Sequence, residues 1–281
     1  MDVLRAFLIA ALLGLCGASP RGRYADMTDA EVGAAIARAH SVEPLGARIQ
    51  SVTEPFLGTP YALGNMGEGP DGDGRDQDPR YNVKSADCTT FVEHALAFAL
   101  GRDLAEARRL LDAIRYHRGR VGYGTRRHWP EAQWVHGLVA EGFVEDVTER
   151  IGGSVERASV SIDPERLRNS AHRELARNLR AAEVPVGTFT VPFIPADRLP
   201  ALSDRLEAGL ILNVVKQPRA DLLVRISHQA LIVKTAGRTF VRHASTSGSV
   251  IDQPLAEFIE RQRGSRSWPL AGFNLLRVKE R

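Results

Sequence analysis

SADCTTFVEHAL, residues 85–96, is the stretch whose reading decides the fold. Asp87 can accept backbone N–H bonds as a helix cap, which places Cys88 at the first helical position. Phe91, Val92, Ala95, Leu96 and Ala99 then recur as one apolar stripe, so the spacing predicts a helix over 88–100, ended by Gly101. Cys88 occupies the exposed end of that stripe. The N-terminal end of a helix carries partial positive charge, which favours thiolate over thiol. A buried structural cysteine is the alternative reading, although it would sit more naturally in mid-helix.

The rest of the cysteine usage sharpens the question. The chain has two cysteines, Cys16 and Cys88. Its first residues, MDVLRAFLIAALLGLCGAS, place a basic residue before an apolar run and small residues after it, the layout of a secretory signal peptide ending at Ala18. The apolar run is short for a membrane span. An uncleaved anchor and a lipoprotein modified at Cys16 are the alternatives; Leu15 stands where a lipoprotein would carry a small residue. The expected product is therefore exported and periplasmic, without stable membrane insertion, and with Cys88 as a leftover thiol.

Of the 281 residues 43% are hydrophobic and 25% charged, enough for a sizeable core. The net charge of +3 suits an anionic cell-wall or membrane surface. No basic run or zinc-finger spacing supports a nucleic-acid partner. Residues 28–40 read as a helix capped by Thr28 or Asp29, 104–116 as a helix begun by Asp103 and Glu106, and 163–182 as one begun by Asp163 and Pro164. The Gly-, Asp- and Pro-rich stretch 64–82 reads as a solvated loop; its Asp spacing departs from a calcium loop at Asp76, where glycine is required. Strands are expected over 186–194, 209–215, 226–234, 239–245 and 273–279. Helices first and strands later indicate an α+β fold, a single domain over 24–281 with a large insert at about 101–225.

A thiolate nucleophile needs a base. Of eight histidines, His94 lies six residues beyond Cys88 and projects away from it, and His40, His117, His136 and His172 lie in polar stretches where solvation is expected. His228 lies within the strand ISHQALIV and shares a face with Ala230 and Ile232. If Ala236–Gly237 form a two-residue hairpin, Ala230 faces His243 and Ser245 faces His228. His228 and His243 then become diagonal neighbours, about 7–8 Å apart at their α-carbons, so one imidazole can act as base while the other orients it. Zinc held by Cys88, His228 and His243 is a further reading, but no third ligand stands at local metal spacing and there is no HExxH.

GTPY (58–61), DCTTF (87–91), SHQALIV (227–233) and RHAS (242–245) together resemble the papain-like cell-wall hydrolases of the NlpC superfamily. Within it, LGxxGEG (63–69), DCTTFVE (87–93), the Arg-x-His-Trp stretch (126–129) and RHAS are similar to the N-acetylmuramoyl-L-alanine amidase-like branch. The resemblance implies a papain-like cysteine hydrolase whose nucleophile starts a helix packed on an antiparallel sheet. It implies Cys88 as nucleophile, His228 as base, His243 as orienting third member, and Tyr61 beside the nucleophile. Glu68, Arg126, His128 and Trp129 become candidates for the substrate cleft, with structural roles as their alternative. The implied reaction is hydrolysis of the amide between N-acetylmuramic acid and L-alanine in peptidoglycan or muropeptides, through a thiolate–imidazolium pair and without metal or organic cofactor. A γ-D-glutamyl–diamino acid endopeptidase, an acyltransferase and a non-catalytic wall-binding module are the alternatives. The chain departs from the superfamily in reading Cys-Thr-Thr for Cys-Ser-Gly, Gly209–Leu210 for Gly-Asp, and Gln133 and His136 where an acidic residue and an asparagine are expected.

Overall fold

The computed structural model describes residues 22–281 apart from 71 and 73; the signal-peptide stretch 1–18 and Cys16 lie outside the described residues. The helices are α1 (Asp29–His40), α2 (Leu45–Thr53), α3 (Cys88–Leu100), α4 (Leu104–Arg115), α5 (His136–Ala140), α6 (Thr148–Gly152), α7 (Pro164–Arg168), α8 (Arg173–Arg177) and α9 (Leu255–Arg263). The strands are β1 (Val144–Asp146), β2 (Glu156–Ile162), β3 (Gly187–Pro195), β4 (Ile211–Lys216), β5 (Ile226–Thr235), β6 (Arg238–Ala244), β7 (Val250–Pro254) and β8 (Leu270–Val278). The sheet runs β2-β3-β8-β4-β5-β6-β7, with β1 also on β8, and its strand pairs are antiparallel. This is an α+β architecture. The stretch 101–225 is woven into it, because β4 sits between β5 and β8 at the centre of the sheet.

Side-chain alternation divides the core. Ile211, Val215, Leu231 and Ala244 join Phe91, Leu96 and Ile36 in the cluster under α1–α4. Leu212, Val214, Ala230, Ile232 and Val241 point to the other face, where α9 covers them with Phe258 and Ile259. Trp129, Val160, Ile162, Leu167 and Leu223 form a third, smaller cluster.

Local chemistry explains where the elements begin and end. Thr28 and Glu31 form a capping box at α1. At α3 the Asp87 carboxylate accepts the Thr90 N–H at 2.8 Å while the Thr90 hydroxyl accepts the Asp87 N–H at 2.9 Å. Such caps contribute roughly 1 kcal/mol each. β5 and β6 meet in a two-residue turn with Ala236 at φ 48° and Gly237 at φ 74°, the doubly positive geometry that matches strand twist. Their register runs from Thr235 opposite Arg238 to Leu231 opposite Arg242, as the hairpin reading expects.

Three expectations are corrected. Residues 163–182 are not one helix. α7 stops at Arg168, because the buried Ser170 hydroxyl donates to the Leu167 carbonyl at 2.9 Å and accepts the His172 N–H at 3.1 Å, which offers the backbone an alternative to helical bonding. The loop 64–82 is not solvated throughout: Met66 to Gly69 are buried. α3 is enclosed on all sides rather than along one stripe, since Glu93, His94, Ala97 and Phe98 are buried as well. Strands β1, β2 and β7 and helices α2, α5, α6 and α9 lie outside the expected set.

Candidate active site

The start of α3 is held by its surroundings. Asp87 accepts the Gly64 N–H at 3.2 Å in addition to its cap bond. Asn65 donates to the Ser85 carbonyl at 2.6 Å and accepts the Thr90 hydroxyl at 3.1 Å. The GTPY segment lies alongside: the Ala86 N–H donates to the Pro60 carbonyl at 3.0 Å, and the Tyr61 N–H to the Gly248 carbonyl at 2.8 Å. Cys88 and Tyr61 are therefore neighbours through the backbone. Burial raises the Tyr61 phenol pKa, and the charges of Cys88 and Asp87 raise it further.

Cys88 is the free cysteine among the described residues and retains some exposure. Protein nonetheless surrounds its sulfur closely enough that burial, followed by the Asp87 carboxylate, pushes the thiol up to about 11. Hydrogen bonding from the Gln229 backbone and from Thr89 acts the other way and does not prevail. At rest this environment favours the thiol over the thiolate. The helix-end dipole is outweighed by desolvation and by the capping carboxylate itself.

Gln229 brings β5 into the site. The β5–β6 register ends at Leu231 opposite Arg242, while β5 continues to Ile226, so the backbone near Gln229 is open to the start of α3. The preceding residue is His228, whose Nε2 lies 2.9 Å from His243 Nδ1, the rings meeting edge to face. Phe258 of α9 packs on both imidazoles, at 6.2 and 5.1 Å between ring centroids. Burial pushes His228 down to about 3, with His243, Arg261 and Lys216 adding to the shift, and pushes His243 down to about 4. Both rings are neutral near pH 7, so each carries one N–H donor and one lone-pair acceptor.

The other predicted residues gather elsewhere. Glu68 is 1% exposed and accepts from Arg126 Nε at 2.7 Å, while Arg126 Nη2 reaches Asp76 at 2.8 Å. Arg126 also lies 5.0 Å over the Tyr123 ring. Two carboxylates thus occupy this guanidinium. His128 bonds the Tyr123 carbonyl through Nε2 at 2.7 Å, and burial pushes it down to about 4. Trp129 is fully buried in the third cluster and presents no surface to a ligand.

One pair went unread in the sequence. Buried Glu93 accepts from Arg115 at 2.9 Å and from the Trp134 indole at 3.2 Å, and Arg115 also donates to the Met66 carbonyl. The Tyr116 hydroxyl donates to the Gly67 carbonyl at 2.8 Å. α3 and α4 together anchor the buried 66–69 segment that carries Glu68. An acidic residue inside an apolar helix was the available signal. Among the described residues no group of three or more His, Cys, Asp and Glu side chains could hold a metal ion.

The model of the AmiA-like family, described as N-acetylmuramoyl-L-alanine amidase-like, matches residues 51–265. No curated protein matches the chain. Among solved structures, the Legionella pneumophila protein LPG0564 is similar at 23% identity, covering 89% of this chain and 94% of its own, with a TM-score of 0.79. An N-acetylmuramoyl-L-alanine amidase from Bacteroides uniformis is similar at 24% identity, covering 84% of this chain and 99% of its own, with a TM-score of 0.66. At these identities the likeness is one of fold.

Proposed function

The chain belongs to the AmiA-like, N-acetylmuramoyl-L-alanine amidase-like family, and from that premise we propose that it is an exported, papain-like cysteine amidase of the NlpC type. Its substrate in this reading is the amide joining N-acetylmuramic acid to L-alanine in peptidoglycan fragments. The observation that carries the reading is the His228–His243 pair, bonded at 2.9 Å, with His228 directly before Gln229, whose backbone meets Cys88.

The chemistry follows from the protonation states. Thiol and imidazole are both neutral at rest, so the ion pair expected from the sequence forms during attack rather than before it. The Cys88 sulfur bonds to the carbonyl carbon as its proton passes to His228, and the resulting imidazolium is held by His243. Asp87 engages the Thr90 and Gly64 N–H groups. The Cys88 N–H at the helix start is then the donor for the oxyanion, with the Tyr61 phenol beside it. Collapse breaks the C–N bond, and the amine leaves with the proton from His228. Water, deprotonated by His228, then cleaves the thioester and regenerates the thiol.

Arg126 plays a smaller part than its sequence position suggests. A stem-peptide carboxylate would have to displace Glu68 or Asp76 from it. Its role in this account is to hold the loop beside the cleft. Mass spectrometry of defined muropeptides after incubation tests the bond choice. Free peptide beginning with L-alanine, together with intact disaccharide, is the expected product. A dipeptide left on the sugar would replace the amidase reading with an endopeptidase, and no cleavage over a range of stem lengths would remove the hydrolase reading.

A further inference from the structure

The His228–His243 pair has a third polar neighbour on the same face of the sheet. β7 runs beside β6 with Gln253 opposite Val241 and Ile251 opposite His243. Alternation puts Val241, His243 and Gln253 on one face. Gln253 is thus the diagonal neighbour of His243 on one side, as His228 is on the other. Two buried atoms in this row have no hydrogen-bond partner among the described residues: His243 Nε2 and Gln253 Oε1. One is a ring nitrogen able to donate and the other an amide oxygen that only accepts. Leaving both unpaired would forfeit a hydrogen bond at a buried site.

Resting on the amidase reading, we propose that Gln253 is a positioning residue whose Oε1 accepts the His243 Nε2–H and thereby fixes the tautomers of both imidazoles. With that proton placed, His243 Nδ1 can only accept, so the 2.9 Å contact carries the His228 Nε2–H. His228 Nδ1 is left with its lone pair free, as a base requires. The direction of the Gln253 influence agrees: its side chain lies near enough to raise the His243 pKa against the burial that lowers it. The charged groups acting on the pair are Arg261 of α9, Lys216 of β4 and Asp252 of β7. Asp252 itself accepts from Arg242 at 2.7 Å. Without Gln253 the reverse chain, in which His243 donates through Nδ1 and His228 holds its proton on Nδ1, becomes accessible and removes the base.

Imidazole ¹⁵N spectra of the protein, recorded for wild type, Gln253→Leu and Gln253→Glu, test this. Wild type should show His228 and His243 each as a single Nε2–H tautomer. Gln253→Leu should mix the tautomers of both rings and lower kcat roughly ten- to a hundredfold at unchanged KM. Gln253→Glu keeps the acceptor oxygen; it should retain the tautomers and move the His243 titration upward in pH. Unchanged tautomers in Gln253→Leu, or an unmoved His243 titration in Gln253→Glu, would overturn the proposal. The spectra decide this without turnover, so a wild type that fails to cleave muropeptides would remove the amidase reading and leave the tautomer assignment standing or falling on its own result.

Discussion

At Cys88 the helix end and the local burial act in opposite directions, and burial prevails. The thiol is pushed up to about 11, first by desolvation and then by Asp87. Alkylation of resting Cys88 by iodoacetamide should therefore be slow near neutral pH and rise steeply only above about pH 9, since the thiolate is the nucleophile. A rate already at its plateau by neutral pH would show a preformed ion pair instead. The position of Cys88 was legible because Asp87 and the apolar spacing define a helix start. The pairing of His228 with His243 was legible because strand alternation and a two-residue turn fix who lies diagonal to whom. The protonation state was not legible. It depends on how much protein surrounds the sulfur, and a sequence carries no direct measure of that. Gln253 was equally hidden, because the strand that carries it, β7, lacks the alternating apolar pattern by which strands are recognised: Val250 is its one buried residue.

Among the elements, α3 does two jobs whose sequence signals differ. Its start carries Cys88, and its middle carries Glu93, paired with Arg115 of α4 in the buried core. Removing one partner strands the other without compensation, so Glu93→Leu should destabilise the fold by about 3–5 kcal/mol in urea denaturation. Glu93→Leu combined with Arg115→Met should cost less than Glu93→Leu alone. A double variant less stable than the single would argue that the pair is not the coupled unit described. The periodicity of α3 showed a helix, but the stripe could not reveal that neighbours would close over its remaining sides. Where side chains compete with the backbone the reading failed, as at Ser170, which divides α7 from α8. Buried loop residues such as Glu68 were hidden for a related reason: their burial is imposed by Arg126, Arg115 and Tyr116 from distant sequence positions.

Across the whole molecule, burial lowers the pKa of five described histidines: His94, His128, His172, His228 and His243. Burial is the largest cause holding His94, His128 and His243 at about 4 and His228 at about 3, below the usual histidine value of about 6.5. Above that value they are neutral in both folded and unfolded chain, and their contribution to stability is complete. As pH falls from about 6.5 toward 4, the unfolded chain binds protons that the folded protein refuses, so stability falls. Urea midpoints should decrease progressively over that window, and a flat profile there would contradict the buried, neutral assignment. The class and centre of the fold were readable because helices precede strands and the hairpin is local. The joining of β4 to both β5 and β8 was not, since it pairs residues far apart in sequence. The central claim is that Cys88 forms the acyl bond, and it is tested most directly by the hydrolysis rate of a defined muropeptide with wild type and Cys88→Ala at equal folded concentration. The account predicts a loss of at least about a thousandfold in kcat for Cys88→Ala, whereas a variant that hydrolyses the substrate at the wild-type rate would contradict it.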